Sequence, residues 1–217
     1  MAVAEKTYRV NNIFCSLQGE GANTGRAAVF VRFAGCNLRC TFCDTAFDSY
    51  REMTADGILR AVTAYEPRFI VLTGGEPTLQ ADETLVDRLH REGFFVAMES
   101  NGTRPAPRNL DWLTVSPKHL VGEASKLCKA DFAAKLGSFT HYVPDEIKVV
   151  FTEAMAGGAT TGLEAIDPSC APCLFLQPCD TGDDVRNAAI VKACVDYILR
   201  HPQWRLSLQT HKLIGIE

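Results

Sequence analysis

The sequence predicts an α/β fold: an incomplete parallel β/α barrel of six to seven strands, in a single domain over residues 1–217. Three observations predict it. Short β-rich runs alternate with amphipathic helical runs, the pattern of βαβ units and a parallel sheet. Six or seven strands in 217 residues fall short of the eight strands and roughly 250 residues of a closed barrel. Polar or Gly-rich turns follow five of the strands, and in parallel sheets that carboxyl edge is where chemistry gathers.

Residues 28–33 (Ala-Val-Phe-Val-Arg-Phe) read as a strand that runs into a cysteine-bearing loop, residues 35–43. Residues 54–65 read as a helix with Thr54 as N-cap and Ile58, Leu59 and Val62 on one face. The strand at 69–72 leads into Thr73-Gly74-Gly75-Glu76-Pro77. A second helix, 82–91, is capped by Asp82 and closed by Gly93. Strand 94–98 leads into Glu99-Ser100-Asn101-Gly102, and strand 112–115 into Ser116-Pro117-Lys118. Strands 147–151 and 174–176 follow, the latter leading into Gln177-Pro178-Cys179-Asp180. A late helix, 187–200, ends at His201-Pro202 before a last strand at 205–208. Two stretches break the pattern. Residues 118–146 are expected to hold a helix around 126–136, and 152–172, rich in Gly, Ala and Thr, to be a surface loop.

A formal charge of −4 and the absence of any Lys/Arg run argue against a nucleic-acid surface. No apolar run approaches transmembrane length, and the first residues lack the apolar stretch of a signal peptide. Nine cysteines in such a chain fit a reducing compartment, where thiols serve metals or cores. The expectation is a cytoplasmic protein.

Cys36, Cys40 and Cys43 supply three thiolates from one short loop. A 4Fe–4S cubane normally takes four, so a triad leaves one iron open, and an open iron is a catalytic site. The alternative is a zinc knuckle. Structural zinc takes four protein ligands, and no Cys or His follows Cys43 before His90; Cys15, Cys128 or a distant His would have to complete it. Arg32 is the odd member of its strand: alternation sets Val29, Val31 and Phe33 on one face and Ala28, Phe30 and Arg32 on the other. A buried Arg is costly unless paired, and its fork suits a carboxylate; on an edge strand it would simply be solvated.

Phe42 before the last Cys of this triad, with Gly74-Gly75-Glu76-Pro77 downstream, resembles the radical S-adenosylmethionine superfamily. Ser16-Leu17-Gln18-Gly19-Glu20-Gly21 and Leu208-Gln209-Thr210-His211-Lys212 narrow the resemblance, over nearly the whole chain, to the 7-carboxy-7-deazaguanine synthase family. The resemblance implies an incomplete barrel of the radical SAM type. It implies that the open iron of a 4Fe–4S cluster on Cys36, Cys40 and Cys43 chelates S-adenosylmethionine. One electron, from a reducing partner such as flavodoxin or ferredoxin, then yields a 5′-deoxyadenosyl radical. The radical abstracts hydrogen from 6-carboxy-5,6,7,8-tetrahydropterin, whose ring contracts with loss of ammonia to 7-carboxy-7-deazaguanine, a step of queuosine and 7-deazapurine biosynthesis. Homodimers that use Mg²⁺ to hold the substrate carboxylate are also implied.

Residue by residue, the resemblance sets Phe42, Cys43 and Asp44 against the adenine and Gly74 and Gly75 at the methionine ammonium. Ser116, Pro117, Lys118, Gln177, Pro178, Cys179 and Asp180 fall on the ribose and carboxylate of S-adenosylmethionine. Leu17, Gln18, Gly19 and Glu20 line the pterin, Arg32 takes its carboxylate, Thr73 contacts it, Thr45 binds Mg²⁺ and His211 faces the substrate. The C-terminal segment closes over the substrate site and brings Glu217 to it. Without the resemblance these are turn residues, a loop Phe over the cysteines and a structural His. Two features depart from the family. The chain ends Ile214-Gly215-Ile216-Glu217, where relatives close on a small residue or Pro, so a side-chain charge is added. Cys128, Cys170, Cys173 and Cys179 are extra; Cys170 and Cys173 either nucleate a second cluster or are incidental thiols. The competing readings are an activase that makes a glycyl radical on a partner protein, which needs no Gln18, Glu20 and Arg32 set, and a non-catalytic zinc or iron–sulfur module.

Overall fold

The computed structural model describes residues 5–46, 48–118, 143–164 and 166–217. Strand β1 (Thr7–Leu17) pairs antiparallel with β2 (Ala27–Phe33) and, on its other edge, with β3 (Arg51–Thr54). From β2 onward each neighbour is parallel: β4 (Phe69–Gly74), β5 (Phe95–Ser100), β6 (Trp112–Val115), β7 (Glu146–Phe151), β8 (Cys173–Pro178) and β9 (Arg205–Leu206). Among the described residues they form one open sheet in the order β3-β1-β2-β4-β5-β6-β7-β8-β9. The parallel strands are the incomplete β/α barrel the alternation predicts, and β1 and β3 extend one side of it. The sequence pattern misses β1 because a register shift between Val10 and Asn12 spoils its period of two: Tyr8 and Val10 are buried, and the next buried side chain is Ile13.

Helices α1 (Ala55–Thr63) and α2 (Glu83–Arg91) start where expected. Thr54 Oγ1 accepts from Gly57 N at 3.1 Å and Asp82 Oδ1 from Leu85 N at 3.0 Å, so each cap satisfies an otherwise orphaned donor. Residues 152–172 are not a surface loop. They form α3 (Glu153–Ala156) and α4 (Thr161–Glu164), and Met155, Leu163 and Ile166 turn into the core. Gly, Ala and Thr fill the turns between, which is why the composition suggested a loop. Helix α5 (Asp184–Arg200) begins earlier than position 187, because Asp183 caps it through Val185 N and Arg186 N. The last strand is shorter than 205–208, and α6 (Thr210–Leu213) follows. The helix expected around 126–136, and Cys128, lie outside the described residues.

Ile58 and Val62 of α1, Leu85, Val86 and Leu89 of α2, and Ile190, Cys194 and Tyr197 of α5 pack with alternate strand residues, among them Val29, Leu72, Met98, Leu113, Val149 and Leu176, into one core. Fully burying a side chain of this size contributes about 1.5–3 kcal/mol. Slipping a strand by one residue would forfeit that face, so the register is fixed. The opposite, concave face is apolar at the amino ends of the strands. There Ala28, Phe69, Val71 and Ala97 are buried with Phe30, Phe95 and Trp112 against them. The Arg26 guanidinium lies over this floor, 3.9 Å from the Phe69 ring and 5.1 Å from that of Phe95. Two residues further along each strand, the same face turns polar.

Candidate active site

Two adjoining cavities open on the carboxyl rim and share Glu20, Asp44, Thr45, Thr73, Glu99 and Gln209 as a common wall. Cys36, Cys40 and Cys43 line the first, with Phe42, Gly75, Ser116 and Lys118. Gln177, Pro178, Cys179 and Asp180 line it from β8. Of the residues expected to hold S-adenosylmethionine, only Pro117 is set back, buried. Leu17, Arg32, His211 and Glu217 line the second cavity. Gln18 and Gly19 line neither. Gln18 is buried and donates to Glu99 Oε1 at 2.9 Å; Gly19 lies beneath His211, whose Nδ1 a Cβ there would approach to 2.1 Å. Of the extra cysteines Cys179 reaches the first cavity, whereas Cys170 and Cys173 sit at the amino end of β8, opposite the rim.

The cysteine loop is strapped to the end of β4. Gly75 N donates to Phe33 O at 3.0 Å and Glu76 N to Gly35 O at 2.9 Å. Gly74 has φ +123°, and a Cβ on it would meet Phe33 O at 2.2 Å; only glycine fits. Glu76, fully buried, accepts from Thr78 Oγ1 (2.6 Å), Ser100 Oγ (2.8 Å) and Asn101 N (2.7 Å). It thus joins the turns after β4 and β5, and Asn101 Nδ2 donates on to Asn37 Oδ1 at 3.0 Å in the cysteine loop. Leu38 N donates to Cys36 Sγ at 3.4 Å, the kind of contact that tunes an iron–sulfur thiolate. Burial pushes the Cys40 thiol up; Lys118 opposes this and Cys43 and Cys36 add to it. Among the described residues no three Cys, His, Asp or Glu side chains converge on one point as ligands of a single ion. Three thiols line one cavity, and a 4Fe–4S cluster is a group that cysteine thiolates hold.

The common wall is charged. Lys148 contacts Glu20 and lies 3.6 Å from Glu99. Gln209 Nε2 donates to Glu20 Oε1 at 3.0 Å and to Asp44 Oδ2 at 3.2 Å. Lys212 Nζ joins Asp44 (2.7 Å) to Asp180 (3.0 Å) and so ties α6 to both cavities. Burial pushes the Glu20 carboxyl up, but Lys148 and Gln209 outweigh it and hold it below the usual range. Arg32 packs over the Phe14 ring, 4.9 Å from its centroid, and is 3.8 Å from the Glu217 carboxylate. Glu217 also accepts from Asn12 Nδ2 at 3.1 Å and from the Ser16 hydroxyl.

Sequence reading missed Lys148, Gln209 and Lys212 as site residues and saw Glu99 only as a turn. A signal existed: a central parallel strand is apolar on both faces, yet β7 reads Glu-Ile-Lys-Val-Val-Phe and sets Glu146 and Lys148 on its concave side.

The family model of the Radical SAM superfamily matches residues 30–122. A 7-carboxy-7-deazaguanine synthase of Bacteroides thetaiotaomicron is 46% identical over 208 residues, spanning 96% of this chain and 98% of the relative. The chain belongs to the 7-carboxy-7-deazaguanine synthase family. A synthase of Bradyrhizobium diazoefficiens is 41% identical over 232 residues, spanning 97% of this chain and 99% of its own length. The crystal structure of QueE from Escherichia coli superposes with a TM-score of 0.71 at 27% identity and covers 93% of each chain. Likeness to the synthase family thus spans nearly the whole chain.

Proposed function

We infer that the chain is a 7-carboxy-7-deazaguanine synthase, a radical S-adenosylmethionine enzyme that converts 6-carboxy-5,6,7,8-tetrahydropterin to 7-carboxy-7-deazaguanine and ammonia. Beyond family membership, one observation carries the reading: a thiol-lined cavity shares a wall with a second cavity built around Arg32 and Glu20. Cys36, Cys40 and Cys43 would hold a 4Fe–4S cluster, which together with S-adenosylmethionine would supply the one-electron chemistry.

The chain's own task is to place and shield. Phe42, Cys43 and Asp44 border the adenine; Gly75 brings main chain to the methionine end; Ser116, Pro117, Lys118, Gln177, Pro178, Cys179 and Asp180 form the side that holds ribose and carboxylate. Arg32 offers a guanidinium fork to the substrate carboxylate, and Leu17, Gln18, Gly19, Glu20 and Thr73 shape the pterin side. Thr45 stands on the common wall and is the protein ligand of Mg²⁺, an ion that keeps several waters and takes few protein atoms. The C-terminal segment closes the substrate cavity through Glu217. The working enzyme is a homodimer that draws electrons from flavodoxin or ferredoxin in the cytoplasm; among the described residues no helix is long and apolar enough to cross a membrane.

The test is anaerobic reconstitution with iron and sulfide, followed by reductant, S-adenosylmethionine and the pterin. The expected products are 7-carboxy-7-deazaguanine and 5′-deoxyadenosine, identified by mass. A protein that holds zinc and never releases 5′-deoxyadenosine would overturn the reading. So would product formation that never occurs with the pterin while a glycyl radical appears on an added protein.

A further inference from the structure

One residue at the centre of the site has no part in the reading above. Lys148 is 4% exposed on the concave face of β7, with its ammonium against Glu20 and 3.6 Å from Glu99. Glu146 shares that face and takes Ala22 N at 2.8 Å. Two carboxylates, from the loop after β1 and from β5, therefore flank one ammonium, with Glu146 of β7 acting on it through charge, Lys118 beyond it and His211 near Glu20 on the side of α6. Burial normally strips a lysine of its charge. Here Glu20, Glu99 and Glu146 outweigh burial, and Lys148 stays protonated.

The arrangement is aimed. Glu20 and Glu99 both stand on the wall common to the two cavities. Each is steadied from behind by an amide, Glu20 by Gln209 at 3.0 Å and Glu99 by Gln18 at 2.9 Å. An ionised carboxylate has about four acceptor positions, so each keeps some for a ligand. The substrate's amino-pyrimidinone edge carries adjacent N–H donors, which charged acceptors read best. A cation beside a carboxylate favours its charged form, and a second carboxylate nearby opposes it.

We propose that Lys148 is a positioning residue that holds Glu20 and Glu99 as a matched pair of charged acceptors for the N–H edge of the pterin. This rests on the synthase reading; failure of the wild-type protein to form product would sink that reading, whereas the comparisons below concern Lys148 alone.

The experiment compares wild type, Lys148→Met and Lys148→Arg after reconstitution, with iron content as the control for folding. Binding of 6-carboxypterin is followed by its fluorescence, and kcat and KM are followed across pH. In Lys148→Met, analogue affinity falls about 10- to 100-fold, the loss expected for charged hydrogen bonds. KM rises more than kcat falls, and the acid limb of kcat/KM moves up by about 1–3 pH units as Glu20 loses its cation. In Lys148→Arg the charge remains and the limb stays put. Wild-type analogue affinity in Lys148→Met, or a loss confined to kcat, overturns the proposal. If Lys148→Met takes up no iron, Lys148→Arg decides: an acid limb displaced upward despite the retained charge refutes the role.

Discussion

Replacing Gly75 with alanine tests whether the strap between β4 and the cysteine loop sets the cluster site. The new methyl carbon would lie 2.0 Å from the Gly35 carbonyl oxygen and 2.5 Å from its carbon. Contacts under 3.0 Å are essentially never seen for a Cβ, so the two backbones must part by about 3.0 − 2.0 = 1 Å. Neither yields easily, because Gly75 N and Glu76 N are bonded across the same gap at 3.0 and 2.9 Å. Overpacking of this kind costs about 1–3 kcal/mol, a drop of several degrees in Tm for a chain of this size. The next residue after Gly35 is Cys36, so the displacement reaches a thiol proposed to hold the cluster. A misplacement of about 1 Å costs on the order of 100-fold in turnover. The assay is iron content and 5′-deoxyadenosine release after anaerobic reconstitution, alongside thermal melting. A variant that melts like the wild type and cleaves S-adenosylmethionine at the wild-type rate would show that the strap does not set the cysteine loop.

Three further outcomes are expected. Arg32→Ala raises KM for the pterin about 10- to 100-fold through loss of a charged hydrogen-bond partner, while pterin-free release of 5′-deoxyadenosine remains measurable; loss of both together contradicts a substrate role. Glu76→Gln replaces an acceptor of four protons, from Thr78 N, Thr78 Oγ1, Ser100 Oγ and Asn101 N, with a group that is half donor. It costs about 1–3 kcal/mol, and an unchanged melting curve argues against it. Asp180 is held at about 2 by Gly182 N–H, then by Lys212 and Asn187. Because its folded value lies below the ordinary 3.8, its contribution to stability is full above that value and disappears as pH falls through about 2. The gap in urea midpoint between wild type and Asp180→Asn is therefore constant down to about pH 4 and closes toward pH 2; a gap that widens in acid contradicts the sign.

Much of the fold was legible because its parallel strands are bounded by strong signals. Thr54 and Asp82 cap helices as their side chains demand, and Val29, Val31 and Phe33 face the core as alternation requires. The cysteine loop and the Gly-Gly turn were legible as chemistry because both concentrate unusual residues in a few positions. What escaped has physical causes. A bulge hides β1; small residues at turns mask the buried Met155 and Leu163. Lys148 and Glu99 are separated by forty-nine positions, 148 − 99, and only the parallel packing of β5, β6 and β7 brings them to one wall. Gln209 and Lys212 lie further still along the chain and reach Asp44 through the placement of α6.

Beneath Arg26 the aromatic floor fills the concave face at the amino ends of the strands, and among the described residues both chambers lie toward the other end. Among the described residues, nucleotide and pterin therefore share the carboxyl rim as their way in. Since the two chambers have one partition in common, whatever fills the second presses on side chains that also line the first. One layer of side chains is then all that separates the two occupants.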